Sequence, residues 1–364
     1  MPAATDTREG LMARLNGKEV QPHEDYGFFG PGSVVWKVWS YPTAPTVGFQ
    51  RSVVVEELDP PLVAAVHGTQ GIYERTRTRY DRTLRYFAMV AFAGSEQVCR
   101  AADVLVKVHS KAIGQLPYGE GTYDANDPAS QLWIQLTGWH SILYAYEKYG
   151  PGKLTEEEEK EYWEACALAA ELQTCSPDDV PRDRAGIRAY FERMRPRLSA
   201  SPIARQAMHH LLNTDLVLPP TPWWMRPART VVARTHRIAT IATMPRWMRE
   251  MAQIRQSRLL DVLVVPVMRT AFALAHLSPR IELFLLGMLS PSTVQVVAPI
   301  KLGIPPRTKE VLTPGQARAR HGYVRPADAH AEFRARQAAR VFGDGKPPSE
   351  QGLIESQDVL GPLA

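Results

Sequence analysis

Residues 96–114 read EQVCRAADVLVKVHSKAIG, and their spacing predicts an amphipathic helix. When successive residues are placed about 100° apart, Arg100, Asp103 and Lys107 fall together on one polar side. The opposite side is apolar, and His109 lies at its centre. A buried imidazole needs a polar partner, because an unsatisfied polar group in an apolar site is costly. His109 is therefore either a core histidine bonded to a carbonyl or hydroxyl group, or an axial ligand of a haem iron.

The same periodicity on both sides of this stretch predicts a helical protein. Apolar residues recur at helical spacing in five segments: 73–93, 96–113, 128–148, 155–173 and 186–194. Thr155 and Glu158 have the spacing of a capping box at the start of the fourth segment. Gly150 follows the end of the third segment, where glycine commonly ends a helix. Strand-like alternation is scarce before residue 215, so we expect an all-α fold with a single large helical domain.

The segment 73–93 carries a row of arginines on one side of its predicted helix. Arg75, Arg79 and Arg82 lie within a narrow arc, and Thr83 lies beside them. This row is either a charged face in solvent or a set of guanidinium groups that faces an anion. The anion would be a haem propionate or a reacting oxygen species, to which Thr83 could add a hydroxyl group.

Composition and motifs exclude several classes of protein. The chain has 364 residues, 45% of them hydrophobic and 22% charged, so most of it can form a core. Its three cysteines form no CxxC pair, which argues against a disulfide framework, a thiolate zinc site and covalent haem attachment. ExxH, HExxH, GxGxxG, P-loop and GxSxG motifs are absent from the sequence. Di-iron, zinc-protease, nucleotide-binding and α/β-hydrolase chemistry therefore lack support.

Positive charge is concentrated in one part of the chain. The formal net charge is +5 and the pI about 9.1, which does not by itself indicate nucleic acid, and we expect no such partner. Residues 201–260, however, carry nine arginines and no lysine, opposed only by Asp215 and Glu250. This excess suits an acidic lipid, a phosphate-bearing ligand or an acidic partner.

Tryptophans lie among these arginines. Trp223, Trp224 and Trp247 occur in a stretch that prolines interrupt, and Trp beside Arg is typical of a membrane interface. The alternative is a proline-rich loop that packs its tryptophans on the core. Residues 216–304 are therefore a candidate membrane-contacting part.

The chain divides by composition into three parts. We expect a flexible N-terminal tail over residues 1–20, a helical domain over 21–304, and an extended C-terminal tail over 305–364 with one short helix near 327–342. No secretory signal and no continuous transmembrane span is recognisable. The expected location is the cytoplasm, and peripheral contact with a membrane is compatible with it.

Four short pieces occur in the order and spacing of a known family. They are Gly30-Pro31-Gly32-Ser33 with Trp36; Arg79-x-x-Arg82-Thr83; His109 followed by Gly114; and Tyr123-x-Ala125-x-Asp127-Pro128 with Trp133 and Ala145-Tyr146-Glu147. In these pieces the chain resembles the haem oxygenase family that includes MpaB-type oxygenases and the latex-clearing rubber oxygenases. The resemblance covers roughly residues 25–200 and weakens toward residue 300.

This resemblance implies a globin-like helical core that holds non-covalent haem b. It implies that His109 is the proximal ligand of the iron, and that Arg79, Arg82 and Thr83 lie near the haem as catalytic or haem-binding residues. Arg79 would stabilise bound oxygen, while Arg82 and Thr83 would position the haem or the substrate.

The chain departs from the rubber oxygenases in two places. Those enzymes carry lysine where this chain has Arg82. They also place a carboxylate base before the arginine motif, where this chain reads Leu62-Val63-Ala64-Ala65-Val66-His67, without an acid. This difference argues against cleavage of polyisoprene. His67 is a candidate to replace the base or to lie on the distal side of the haem.

Together these features predict a haem-b-dependent oxidoreductase that acts with dioxygen or peroxide on a small apolar substrate, isoprenoid or lipid-like. Two alternatives remain. The missing carboxylate favours a haem-dependent dehydrogenase or peroxidase-like enzyme without oxygen insertion. The segment rich in arginine and tryptophan favours a non-catalytic, membrane-associated helical protein.

Overall fold

The computed structural model describes residues 14–15, 18–68, 71–117 and 120–346, and within them the chain is predominantly helical, which confirms the all-α fold class. The helices of the first half are α1 Val34–Trp39, α2 Phe49–Glu56, α3 Pro60–Gly68, α4 Gly71–Glu74, α5 Thr76–Phe92, α6 Ser95–His109, α7 Pro128–Tyr149 and α8 Glu156–Ala170. Those of the second half are α9 Arg184–Met194, α10 Pro202–Leu211, α11 Arg226–Thr243, α12 Arg246–Met251, α13 Arg258–Ala275, α14 Pro279–Leu289, α15 Pro291–Lys301, α16 Pro314–His321 and α17 Pro326–Ala338.

Two short antiparallel hairpins and several tight turns complete the described structure. Strand β1, Arg14–Leu15, pairs with β2, Lys18–Glu19, and β3, Ile113–Gln115, pairs with β4, Thr122–Asp124. The π-helical turns are Ala44–Gly48 and Ala339–Gly343, and the 3₁₀ turns are Pro177–Asp179, Thr214–Leu216 and Trp223–Met225.

The five helices predicted from periodicity are α5 to α9, and their ends follow capping chemistry. The Thr155 and Glu158 side chains form the predicted capping box at the start of α8. The Asp127 carboxylate accepts hydrogen bonds from two backbone amides of the first turn of α7, while Pro128 occupies its first position. Gly150 caps the other end of α7. The globin-like arrangement of the core stays a prediction.

Helices α5 and α7 form the centre of the core. Helix α5 contacts α1, α4, α6 and α15, and α7 contacts α1, α2, α8 and α13. Trp133, Trp139 and Trp163 are fully buried around α7. Trp36 donates its indole N–H to the Ala91 carbonyl at 2.9 Å, which fixes α1 against the end of α5. Helix α5, which carries the arginine motif, thus lies at the centre of the fold together with α7.

The C-terminal part differs from the expected extended tail. Helices α16 and α17 both pack against α6, and a second capping box, Thr313 with Gln316, starts α16. The Arg334 side chain pairs with Asp124 at 3.2 Å. Residues 347–364 lie outside the described residues, as does most of the predicted N-terminal tail. The boundary predicted at residue 304 stays untested.

No single helix within the described ranges is long and apolar enough to cross a membrane. The consecutive helices α13 and α14 reach that length and composition only together, and their axes bend by 114° at the break between them.

Candidate functional site

A cavity lies between α2, α3, α5, α6 and α7. Its volume is about 150 Å³, and it is partly open to solvent. Most of the lining is aliphatic or aromatic. The polar and charged residues of the wall are Glu56, Glu57, Thr76, Arg79, Tyr80, Thr83, Tyr86, His109, Asp124, Ser130, Gln131 and Gln173.

One side of α5 forms much of this wall. Thr76, Arg79, Tyr80, Thr83 and Phe87 line the cavity, and they recur at the three- and four-residue spacing of a single helix face. The spacing that the sequence shows for Arg79 and Thr83 therefore does place them together on the cavity side.

His109 faces them from the end of α6. The Nδ1 atom of its imidazole is buried and has no hydrogen-bond partner within the described residues. Burial, and then the positive charge of Arg79, lower the pKa of His109 to about 4. The imidazole is therefore neutral at pH 7. Neutral imidazole is the form that binds metals.

A short hairpin fixes the position of His109. The sequence predicts that this helix continues to residue 113, but α6 ends at His109 and β3 begins at Ile113. Gly114 pairs with Tyr123 across the hairpin, and a Cβ atom at Gly114 would lie within 3 Å of the Tyr123 ring. The Asn126 side chain donates to the Val106 carbonyl at 2.7 Å and holds the end of α6. The spacing from His109 to Gly114 thus has a structural reason.

The arginine row does not act as one unit. Arg79 lines the cavity, and its Nη1 atom is buried without a hydrogen-bond partner within the described residues. Arg75 is exposed next to the start of α5. Arg82 is only 5% exposed and lies outside the cavity wall, so the interpretation as a solvated charged face is wrong for Arg82. The structure brings Arg79, Thr83 and His109 together and leaves Arg82 out.

The sequence analysis missed three carboxyl groups at this cavity, Asp124 and two adjacent glutamates. Glu56 ends α2, Glu57 caps it, and both line the wall. The Ser52 hydroxyl donates to Glu56 at 2.5 Å, and Oε2 of Glu57 is buried without a hydrogen-bond partner in the described part of the chain. The signal was present, since two adjacent acids directly follow the apolar run Val53–Val55.

Burial sets the protonation of these two acids. Loss of solvent raises the pKa of Glu56 to about 7 and that of Glu57 to about 8, although the Ser52 hydrogen bond at Glu56 and the charge of Arg79 at both oppose the rise. Both groups therefore gain and lose protons near neutral pH. The absence of an acid between residues 62 and 67 does not leave the cavity without a carboxyl group.

His67 lies beside the cavity rather than in its wall. Its imidazole is partly buried, with the ring edge-on to Tyr73 at a centroid distance of 6.3 Å. The preceding residue, Val66, does line the cavity. The role of His67 as a replacement base stays a hypothesis.

The metal-binding atoms of the cavity suit a metal whose other ligands come from a cofactor rather than from the protein. Within the described residues no three His, Cys, Asp or Glu side chains come together in a way that would hold a metal ion. His109 offers one buried nitrogen in a largely apolar cavity, with Arg79 as a nearby cation. One protein nitrogen and an apolar slot are what a metalloporphyrin requires. The residues present therefore fit haem, with His109 as ligand and Arg79 beside it.

One comparison with known proteins gives a match. The sequence model of the family described as "ER-bound oxygenase mpaB/B'/Rubber oxygenase, catalytic domain" matches residues 36–276, more than half of the chain. No curated protein and no solved structure matches the chain significantly.

Proposed function

The chain belongs to the family of mpaB and rubber oxygenase catalytic domains, and on that premise we propose that it is a haem-b-dependent oxygenase acting on an apolar substrate. Oxygenase-type catalysis is the activity of the family. The dependence on haem and the class of substrate are our proposals, as are the roles of the individual residues.

The observation that carries the proposal is the imidazole of His109 in the cavity wall, which loss of solvent keeps neutral and whose buried Nδ1 atom has no hydrogen-bond partner within the described residues. An orphaned buried nitrogen is costly in a protein without a ligand. A metal bond offsets that cost. When bound, haem b supplies a redox-active iron with an open position for dioxygen or peroxide.

Arg79 is the residue we propose for stabilising negative charge. Arg79 lines the same cavity as His109, and its buried Nη1 atom has no hydrogen-bond partner within the described residues. A fixed donor in a site of low dielectric stabilises charge that develops during a reaction. Thr83, one turn along α5, adds a hydroxyl group to the same wall.

Glu56 and Glu57 are proposed to hold and move the proton. With pKa values of about 7 and 8, each is partly protonated near neutral pH, which suits general acid–base chemistry. Arg82, which lies outside the wall, is proposed to position α5 rather than to touch the substrate.

The remaining wall favours an apolar substrate. Val53, Leu62, Val66, Ile134 and Leu211 line the cavity, and such a lining excludes water and binds hydrocarbon by the hydrophobic effect. An isoprenoid or lipid-like molecule matches this lining. Dioxygen, itself apolar, enters the same space.

The test is an absorption spectrum of the purified protein after haem is supplied, with a pyridine haemochrome assay. We expect a strong Soret band and about one haem b per chain. His109→Ala should lose the band. His236→Ala is a matched control, because His236 is also buried, its pKa is also about 4 as a result of burial, and it lies outside the cavity wall. A colourless wild-type protein, or full haem binding by His109→Ala, would overturn the proposal.

A second experiment separates oxygen insertion from dehydrogenase or peroxidase-like chemistry. Turnover of an apolar substrate under isotopically labelled dioxygen should place the label in the product. Unlabelled product would favour the dehydrogenase or peroxidase-like alternative. That alternative was suggested by a missing carboxylate, but Glu56 and Glu57 do supply carboxyl groups to the cavity.

A further inference from the structure

Apolar side chains are exposed over a continuous stretch of the second half of the chain. Of eighteen large hydrophobic residues exposed in the described structure, fourteen lie between Trp223 and Phe284. They come from the turn Trp223–Met225, from α11 and α13, and from α14 and the residues before it. We call this set the apolar surface. Helix α11 contacts both the turn Trp223–Met225 and α13, so much of this set lies on neighbouring elements. Single exposed apolar residues are ordinary, but such a cluster marks a binding surface.

Helix α13 shows the feature most clearly. It buries a narrow strip that includes Val264, Met268 and Phe272, spaced four residues apart. Leu263 and Val267, on the rest of its circumference, are 54% and 55% exposed. A helix that is apolar around most of its circumference normally lies in a core or in lipid. Within the described residues the protein covers only part of α13, and the exposed remainder is available to a partner.

The charge around the apolar surface is predominantly positive. Residues 215–284 contain ten arginines and no lysine, against four acids, Asp215, Glu250, Asp261 and Glu282. Asp261 is already paired with Arg249 at 2.8 Å. Exposed arginines include Arg226 and Arg258, at the first residues of α11 and α13. The partner must therefore be apolar in its interior and acidic at its surface.

Trp223 and Trp224 point to the same kind of partner. They are 79% and 65% exposed, directly before α11 and its arginines. An exposed indole ring is stable at the boundary between hydrocarbon and water, since one end is apolar and the other carries an N–H group. Exposed tryptophan beside arginine is the composition of an interfacial anchor.

We propose that the apolar surface docks on an anionic lipid bilayer, with α13 and α14 lying in the interface rather than crossing it. The 114° bend between these helices suits an element that lies on the membrane. A second copy of the chain is the main competitor. A twofold dimer would place this surface against itself, which brings arginine against arginine, whereas acidic headgroups complement the charge. The proposal is independent of the haem proposal.

The experiment is co-sedimentation of the full chain with vesicles of phosphatidylcholine, with and without phosphatidylglycerol, at low and high salt. We expect binding to the anionic vesicles at low salt, and weaker binding when salt screens the charges or the acidic lipid is omitted. Leu263→Glu with Val267→Glu should weaken binding by about tenfold or more, because acidic groups replace exposed apolar side chains that the lipid would cover, and they repel the headgroups. Val324→Glu is the matched control, since Val324 is 61% exposed and lies outside the apolar surface.

A second measurement reports how deeply the tryptophan side chains enter the bilayer. Vesicles with brominated acyl chains should quench the tryptophan fluorescence of the wild type, and Trp223→Phe with Trp224→Phe should lose most of that quenching. Binding that the Leu263→Glu, Val267→Glu variant retains would overturn the proposal, as would failure to bind anionic vesicles at low salt. A vesicle-independent dimer that this variant abolishes would overturn it as well, and would assign the surface to a second copy.

Discussion

Proteins usually bury apolar side chains and expose polar ones, and the cavity wall and the apolar surface depart from this rule in opposite ways. In the cavity, a histidine, an arginine and two glutamates are enclosed by apolar residues, and several of their polar atoms lack a partner within the described residues. On the apolar surface, leucine, valine and tryptophan side chains face outward. Both arrangements cost stability in the isolated chain. Such destabilising arrangements are typical of functional sites, where a bound ligand or partner offsets the loss of stability.

The comparison between the cavity wall and the apolar surface predicts a ranking of substitutions. Removal of a buried ionisable group from the cavity wall should raise the free energy of unfolding more than any substitution on the apolar surface. The pKa of Glu57 is raised from 4.5 to about 8, so the folded chain binds this proton more tightly than the unfolded chain does. The free energy of unfolding of the wild type should therefore fall as the pH rises through this range.

Glu57→Gln tests this directly in urea unfolding of the haem-free protein. At pH 9 the variant should be more stable than the wild type by about 3–5 kcal/mol, because one pKa unit corresponds to about 1.4 kcal/mol. At pH 4 the difference should vanish. Glu250→Gln, at an exposed acid, should leave the pH dependence unchanged. An equal pH dependence in Glu57→Gln and the wild type would contradict the raised pKa.

The next effect concerns Arg79. If its guanidinium donates to an anion on the haem, Arg79→Met should weaken azide binding to the haem-loaded protein by about tenfold to a hundredfold, since a hydrogen bond to a charged group contributes about 1.5–3 kcal/mol. An optical titration measures the azide dissociation constant. Arg77→Met is the control, because Arg77 lies on the same helix but outside the cavity wall. Equal azide affinity in both variants would remove Arg79 from this role.

A smaller effect is expected behind the cavity wall. Gly114→Ala would force a Cβ atom to within 3 Å of the Tyr123 ring. Overpacking of this kind costs about 1–3 kcal/mol, and the hairpin that holds the end of α6 should loosen with it. Gly315→Ala is the control, since the nearest atoms to its Cβ would be 3.9 Å away. Denaturant unfolding measures both variants, and equal stability would show that the hairpin yields without cost.

The smallest effect on folding belongs to the apolar surface. Leu263→Glu with Val267→Glu should change the free energy of unfolding by no more than about 0.5 kcal/mol, because exposed positions contribute little to the core. The same variant should lose vesicle binding. A large loss of stability would mean that these side chains serve the fold, and the contrast between the two regions would fail.

Local periodicity predicted most of what lies along single helices. The positions of α5 to α9, the capping box of α8 and the shared cavity face of Arg79 and Thr83 all follow from spacing within a helix. The helix of His109 was expected to continue to residue 113 and instead ends at His109. Strands of three residues are too short to show alternation, so the hairpin after His109 left no readable pattern.

The features that the sequence did not reveal depend on distant contacts. Glu56 and Glu57 line the cavity because of where α2 ends in the fold, and two acids after an apolar run do not by themselves show which cavity they would line. Arg82 fits the same local pattern as Arg79, yet its burial is set by surrounding helices. The C-terminal helices were expected to be mainly an extended tail because their outward faces are polar, although α16 and α17 cover α6.

The backbone pairing between the two ends of the described chain has a consequence for the order of assembly. Tyr26 donates to the Glu310 carbonyl and Leu312 to that of Gly27, and the Arg334 side chain then pairs with Asp124 beside the cavity. A ribosome releases the first of these partners long before the last. The cover that α16 and α17 place over α6 can form only once residues 314–338 have been synthesised. This part of the packing is therefore completed late, and a nascent chain stalled before residue 314 should leave that face of α6 uncovered.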